Sequence, residues 1–530
     1  MAAGPRPAGP RRGQSRTRPL IQPRCPPAGC PPSPGPTRNP TRRGRRAGAA
    51  LPRWHPAPLR HHARAGTGPG RYHSRPETIP PFNCRALTIP GQAQRPQSGE
   101  RAAPPAPYGS QLRTLRLALA ATGEYVQNLG GGTAGGTLVS MATLVNSLNI
   151  VYERDLALRL QLVGNNNLLI YPDAASDPYD NTDLSAMLDG NQAIVDGAIT
   201  SAAYDVGHVL GYRSNGYLGV AYVGIIYTST YKGRGISTRA LASLIAAVVT
   251  HKLGYQLGSA HTSNGDQGNC GDGNRSANLA YEPSAGNTII SYDSRCAPDN
   301  VGSGINYFHA GSLTDIIPRL ACASTTASGN QPPSLTVPTS NMYTIPLGTP
   351  FTLAGSGTDP NGDALTYSWE ELDLGNASGQ AGAPTDASAP PLFRSFATVA
   401  SDTRTFPSLT NILSGTVSLS EQLPLVARPL NFRLMAHDNR GGVAGANVAL
   451  AVASAGPFAA TAPSGGLTAR PDSSYALTWS VLGTDAAPVS CAAVQVLFYN
   501  DGSLTFPMVR LASTANDGTA TVRLPSAATT

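Results

Sequence analysis

Two hydrophobic periodicities alternate along residues 111–250, and this alternation constrains the fold more than any other feature of the chain. Every second residue is apolar from Leu115 to Leu119, as in a strand, and the same pattern returns at 156–162. Apolar residues recur at intervals of three and four between 138 and 151, which predicts a helix over 137–152. Further strands are expected at 204–210 and 219–227, and further helices over 183–200 and from Ser237 into His251. This order predicts an α/β domain.

The positive charge of the chain is confined to its N-terminal segment. The whole chain has a net charge of +8. Residues 1–106 contain 19 arginines, no lysines and two acids, whereas the rest of the chain has 20 basic and 29 acidic residues and is therefore net negative. Because these arginines lie among prolines and glycines without a hydrophobic period, a nucleic-acid-binding function is not expected. Residues 1–106 are predicted to be disordered, or to be GC-rich sequence read outside its frame. We find neither a signal peptide nor a membrane-length apolar run of about 18 residues.

The composition changes again at residue 331. Proline, threonine and serine with short apolar runs predict two all-β sandwiches of the immunoglobulin or fibronectin type, residues 331–456 and 457–530. The second has too few predicted strands for the roughly seven of a complete sandwich, so we expect it to be truncated.

The segment from His251 to His261 has the spacing of a metal site. Residues four apart share one face of a helix, so two ligands at that spacing can hold one metal ion while a base between them activates its water. A glycine can then turn the chain and bring in a third ligand. His251, Gly258 and His261 fit this arrangement, and the segment resembles the zinc motif His-Glu-x-x-His-x-x-Gly-x-x-His. By that resemblance Lys252 stands where the motif has its base and Tyr255 where it has its second ligand. Taken alone the match is weak, because two histidines near a helix end are ordinary polar surface.

The surrounding sequence resembles the reprolysin-like zinc metallopeptidases, which are metzincins, and in particular those secreted by bacteria. The His251–His261 segment is similar to the metzincin motif His-Glu-x-x-His-x-x-Gly-x-x-His. The likeness extends in order over roughly two hundred residues, and we assign residues 107–330 to this domain. The segments that carry it are 113–118, 122–125, 150–156, 165–171, 204–209, 232–235, 273–275 and 307–310.

The resemblance implies zinc, a protein or peptide substrate, and secretion. It places Ile290 at the methionine of the Met-turn, and Tyr292 at a tyrosine that approaches the metal or the oxyanion in some metzincins, although a tyrosine there also serves as packing. It also implies a Cys270–Cys296 disulfide. Cys322 is expected to have lost its partner, because Tyr227 stands near a position where relatives carry cysteine.

The two substitutions in the motif predict a catalytically inactive family member. Loss of a general base costs on the order of 10² to 10⁴ in rate, and a tyrosine ligand must lose a proton whose pKa is about 10. Zinc binding is therefore doubtful. Two alternatives stay open: a weakly active metallopeptidase with Tyr255 or Tyr292 as ligand, and an extracellular binding or adhesion protein that acts through its β-sandwiches.

A candidate calcium loop precedes a strand of the first sandwich. Asp359, Asn361 and Asp363 offer oxygens at alternate positions, as calcium-binding loops do. A turn with proline and glycine at favourable positions accounts for the same residues, and we prefer that explanation.

Overall fold

The computed structural model describes residues 84–90, 103–213, 218–239, 242–271, 273–293, 295–338, 343–377, 390–463, 470, 472–498 and 508–524. The α/β domain comprises β1 (Cys84–Leu87), β2 (Gln111–Ala121), α1 (Gly123–Asn128), α2 (Ala134–Leu156), β3 (Leu158–Leu162), α3 (Leu184–Ile199), β4 (Val206–Gly211), β5 (Gly219–Tyr222), β6 (Gly235–Thr238), α4 (Ala242–Leu257), α5 (Ala310–Arg319) and β7 (Ser324–Ala327). The first β module comprises β8 (Ser334–Thr336), β9 (Tyr343–Pro346), β10 (Phe351–Ala354), β11 (Ser356–Thr358), β12 (Thr366–Glu371), β13 (Thr403–Phe406), α6 (Leu409–Ser414), β14 (Pro429–His437) and β15 (Val443–Ala453). The second comprises β16 (Ala459–Ala462), β17 (Ser474–Ser480), β18 (Ala493–Phe498), β19 (Met508–Ala515) and β20 (Thr519–Arg523).

One sheet with helices on both faces forms the α/β domain. Its strand order is β1-β5-β6-β4-β2-β3, and β7 pairs with the start of β2. The pairs are parallel except β5 with β6 and β7 with β2. Leu115, Leu117 and Leu119 pack with α2, α4 and α5, whereas Ala118 and Ala120 pack with α3 on the other face. Strand β2 is therefore buried on both faces, whereas its alternating pattern had predicted that one face would be exposed.

Helix α2 follows the predicted apolar stripe and extends it at both ends. Thr133 caps the helix by accepting from Gly136 N, and Ala157 ends it in the left-handed conformation. By length and composition α2 could cross a membrane, and it is the one such helix in the described part of the chain. Its stripe of Met141, Leu144 and Leu148 instead contributes to the core between helix and sheet.

Segments of the same chain bond to β5 and to β3, at the two ends of the sheet. At one edge β1 pairs in parallel with β5, with Cys84 opposite Gly219. At the other, the Asn149 side chain bonds both the N–H and the C=O of Leu160 on the side of β3 that faces away from β2. Strand β1 corrects the expectation of disorder for residues 84–87, since an open sheet edge supplies backbone partners that composition does not reveal. Residues 1–83 and 91–102 lie outside the described part.

Two further elements differ from the sequence-based expectation. Strand β6 was not predicted, because its four residues include a single large apolar side chain, Ile236. The strand expected over 219–227 ends at Tyr222, after which Gly224 adopts a φ of +70° and donates its N–H to Tyr255 O.

The first β module has a four-stranded sheet, β12-β14-β15-β9, and the pairs β10-β13 and β11-β8. Phe351, Phe393, Phe406 and Phe432 pack together at its centre, with ring centroids between 4.8 and 6.1 Å apart. The second module has the sheet β16-β17-β20 and the pair β18-β19.

Buried charged groups join the first β module to the α/β domain. Glu370 accepts from Ala310 N at the start of α5, at 2.5 Å, and the fully buried Arg433 donates to Thr314 Oγ1 at 2.8 Å. Asp155, at the end of α2, accepts from Phe308 N at 3.0 Å and lies 3.8 Å from His437 Nδ1. A buried charge that has partners in both parts couples their folding.

We therefore predict that Asp155→Ala lowers the free energy of unfolding by about 3–5 kcal/mol, because it leaves buried partners without their charge. Chemical denaturation of the full chain measures this. Asp189→Ala is the matched control: Asp189 pairs with Arg234 on the surface, and its loss should cost less than about 1 kcal/mol. Equal losses in the two variants would contradict the assigned role of Asp155.

Candidate metal centre

Helix α4 and the turn after it bring the candidate ligands together. His251 and Tyr255 lie one helical turn apart on α4. Gly254, between them, leaves room for Ile290, since a Cβ there would lie 2.3 Å from Ile290 Cδ1. Gly258 ends the helix with a φ of +119°, which favours glycine, and the chain then returns towards His261.

The hydroxyl of Tyr255 lies between the two imidazoles. Its Oη is 2.5 Å from His251 Nε2 and also forms a hydrogen bond with His261 Nε2. The ring centroids are 4.7 Å apart for His251 and Tyr255, 5.0 Å for Tyr255 and His261, and 5.5 Å for the two histidines. The three side chains therefore converge on one point, and the phenol oxygen occupies it.

Backbone carbonyls fix the orientation of both imidazoles. His261 Nδ1 lies 2.6 Å from Asn274 O, and His251 forms a backbone hydrogen bond with Ile289. Burial lowers the pKa of His261 to about 3 and that of His251 well below its ordinary value, and the charge of Lys252 lowers both further. Both rings are therefore neutral at pH 7. With Nδ1 protonated, each Nε2 is an acceptor, and the single phenol proton serves one of them at a time.

Lys252 points towards the sheet rather than towards water. It is completely buried, its Nζ lies 4.5 Å from the centroid of the Tyr255 ring, and a Cβ on Gly219 would approach its Cε to 3.1 Å. The ring face offers a cation–π contact to the ammonium. A positive charge therefore stands beside the histidines at the position where the family motif has a carboxylate.

A third buried histidine lies under α4 and had been given no role from the sequence. His208 Nδ1 is 2.8 Å from Gln256 Oε1, and its Nε2 is 2.9 Å from Ser237 Oγ. Burial lowers its pKa to about 4, and Lys252 contributes to the shift. The only sequence signal was its place in a segment that matched the family, which does not distinguish a core histidine from a functional one.

Glu282 is a second residue that sequence reasoning missed. Its buried carboxylate accepts from Thr262 Oγ1 at 2.5 Å and from Thr288 Oγ1 at 2.6 Å, and the backbone N–H groups of Asn287 and Thr288 donate to it at 2.9 and 3.0 Å. It thereby ties the residue after His261 to the turn that contains Ile290. Glu282 stands between Tyr281 and Pro283 as the one acid of its segment, and no sequence pattern there indicates a structural carboxylate.

Ile290 and Tyr292 lie next to the histidines. Ile290 is fully buried, and its carbonyl accepts from Thr262 N. The Tyr292 ring is 4.5 Å from that of His261 and 6.2 Å from that of His251. A cavity of about 610 Å³ adjoins His251 and Tyr292 and extends to Ile150 on α2. Tyr255 and His261 do not line this cavity and are buried.

The implied disulfide is present. Cys270 and Cys296 are bonded, with their Cα atoms 5.4 Å apart. Cys322 is also disulfide-bonded, which corrects the expectation that it had lost its partner. That expectation rested on Tyr227, which stands near a position where relatives carry cysteine. A position in the sequence does not establish which two thiols come within bonding distance.

The residues at the centre do not fit a zinc site. Zinc centres of this kind use three protein ligands, and the described residues contain no group of three His, Cys, Asp or Glu side chains that could hold a metal.

In the candidate calcium loop, the side chains bond within the loop and to a neighbouring arginine. Asp359 accepts from the N–H groups of Asn361 and Asp363, and Asp363 pairs with Arg440 at 2.8 Å. Calcium binding there stays a prediction.

The lowered histidine pKa values predict an acid-sensitive core. Above the unfolded pKa of about 6.5, His208 is neutral in both states, so its titration does not change the free energy of unfolding. As the pH falls towards the folded pKa of about 4, the unfolded state binds a proton at His208 that the folded state does not bind. The free energy of unfolding therefore falls by roughly 3 kcal/mol. Urea denaturation at several pH values between 7 and 4 should show a smaller loss for His208→Gln than for the wild type. Parallel curves would contradict this, because buried acids such as Glu370, with raised pKa, contribute equally to both proteins.

Comparison with known proteins assigns a family to part of the chain. Residues 111–317 match the family described as metallo-peptidase family M12B, reprolysin-like. No curated protein matches the chain. Among solved structures, it is similar to the crystal structure of Dpr2 Ig1-Ig2 in complex with DIP-Theta Ig1-Ig3 at 16% identity and a TM-score of 0.14, over 32% of this chain and 46% of that one. A score that low carries no information about the fold. Residues 111–317 of this chain thus form a domain of the reprolysin-like M12B metallopeptidase family.

Proposed function

We propose that this domain retains the reprolysin-like fold but has lost zinc-dependent peptide hydrolysis. The contact of the Tyr255 hydroxyl with both histidines carries the proposal. Zinc binds imidazole nitrogens at about 2.0–2.1 Å, and the phenol oxygen lies 2.5 Å from His251 Nε2. It therefore stands close to where a metal shared by the two histidines would have to be.

Lys252 supports the proposal independently of Tyr255. A protonated ammonium has no lone pair with which to take a proton from water. Its charge also opposes a divalent cation, just as it opposes protonation of His251 and His261. Restoring the ligand set alone would leave this cation in place.

Family membership implies a protein or peptide as the ancestral substrate, and the cavity beside His251 and Tyr292 offers a place for part of such a chain. Secretion accords with the disulfides of the α/β domain, since such bonds persist in oxidising compartments. We therefore regard the domain as an extracellular, inactive relative of the peptidases. The rival proposal of weak activity requires Tyr255 or Tyr292 as a metal ligand.

A second candidate function is binding through the β modules, which we propose are sandwiches of immunoglobulin or fibronectin type. The first module exposes four large apolar side chains between residues 399 and 425: Val399, Leu413, Val417 and Leu425, each between 46% and 85% exposed. Exposed apolar side chains favour contact with a partner where they form one patch. Polar substitution of all four should abolish such binding and leave the peptidase domain unaffected.

We predict that zinc binding and proteolysis return only when both motif positions are repaired. Lys252→Glu alone supplies a base without a third ligand, and Tyr255→His alone rebuilds the ligands beside a cation. The double variant restores both on one helical face, whereas adding Ile290→Met should matter less, because residue 290 only supports the site. The measurements are bound zinc and chelator-sensitive cleavage of a denatured protein, made on the full chain because the first β module is part of its core.

The matched control is Lys252→Gln with Tyr255→Phe, which removes the cation and the hydroxyl but adds neither base nor ligand. It should bind no zinc. Chelator-sensitive cleavage by the wild type would refute the proposed inactivity and favour the weakly active, tyrosine-ligated alternative. Zinc in the wild type without cleavage would show that the centre still holds a metal but has lost the reaction.

A further inference from the structure

The first β module reaches the segment that holds His261. Arg275 Nη2 donates to Gly375 O at 2.5 Å, and Asn264 Nδ2 donates to Asn376 O at 2.8 Å. Gly375 and Asn376 belong to the chain that leaves β12, so two carbonyls of that module accept from the α/β domain at this point. These contacts are separate from the buried charges around α5.

Both donors are close in sequence to the groups that orient the imidazole. Asn264 lies three residues after His261. Arg275 directly follows Asn274, whose carbonyl lies 2.6 Å from His261 Nδ1. Arg275 also bonds Asn264 Oδ1 through Nε and Nη2, at 2.9 and 2.8 Å. The Arg275 guanidinium therefore joins the two ends of the segment 264–275 and also bonds that segment to the β module.

The accepting segment is itself held in place. Just before it, Asp373 accepts from Asn431 N at 3.1 Å and from Asn431 Nδ2 at 2.5 Å, on β14. Glu371 accepts from Leu392 N and Phe393 N, both at 2.7 Å. The carbonyls that Arg275 and Asn264 meet therefore project from a sheet edge with its own hydrogen bonds, which is what a positioning contact requires.

We infer that Arg275 is a positioning residue through which the first β module sets the orientation and tautomer of His261. The carbonyl of Asn274 favours the form with hydrogen on Nδ1, and it can do so only while the 264–275 loop keeps its place. The β module thus supports one side of the site through Gly375 and Asn376. The inference concerns the wild-type chain and does not depend on whether zinc binds.

The test compares Arg275→Ala with Arg394→Ala in the full chain. Arg394 Nη1 donates to Val301 O at 2.6 Å, so this control removes a guanidinium–carbonyl bond from the same interface but none of the bonds made by Asn264, Asn274 or Arg275. The readouts are the imidazole ¹⁵N chemical shifts of His261, which report its tautomer, and amide hydrogen exchange over residues 262–276.

Arg275→Ala should shift the His261 ¹⁵N signals towards a tautomer mixture and speed exchange in its loop at least tenfold. Arg394→Ala should leave both within about twofold of wild type, and Arg275→Lys should restore part of the wild-type behaviour. Asn264→Asp, which loses the donor to Asn376 but keeps the acceptor for Arg275, should give an intermediate effect and serves if Arg275→Ala does not fold. Wild-type ¹⁵N shifts in Arg275→Ala, or equal changes in the Arg394 control, would overturn the inference.

Discussion

The candidate centre depends on one contact, the Tyr255 hydroxyl between two imidazoles. In a zinc site the metal itself joins a helix to the segment beyond it, and its binding energy is part of the folding energy. Here a phenol joins His251 on α4 to His261 after the turn at Gly258. A neutral hydrogen-bonded bridge of this kind needs no ion, so the positions of the histidines, of Glu282 and of the turn at Ile290 can persist in a chain without metal.

The surroundings of that contact favour the neutral form of the histidines. Lys252 places a cation against the Tyr255 ring, and burial together with this cation keeps His208 and His261 uncharged. A carboxylate at position 252 would reverse the field and favour both a proton and a divalent ion. The side chain at position 252 thus adds to the larger effect of burial in setting which charge the centre tolerates.

The sequence revealed the parts of this molecule that depend on local pattern. The stripe of α2, the span of α3 and the approach of His251 to His261 all follow from spacing within one element or at its end. Helix α3 occupies Leu184–Ile199 with Asp183 as its N-cap, where the sequence predicted a helix over 183–200. The disulfide between Cys270 and Cys296 came from family resemblance rather than from spacing. What could not be predicted rests on groups far apart in the chain: Phe308 donates to Asp155 across 153 positions, and Arg275 meets Gly375 across 100. Such pairs leave no periodic trace, and strand β1 likewise owes its conformation to the edge of β5.

The Asn149 side chain also bears on how copies of this chain can meet. It holds both the N–H and the C=O of Leu160 on the outer side of β3. A second molecule that added a strand to this edge would first have to displace the Asn149 amide. Two hydrogen bonds within one chain therefore oppose extension of the sheet across this edge from one copy to the next, whereas contacts made through side chains meet no such competition.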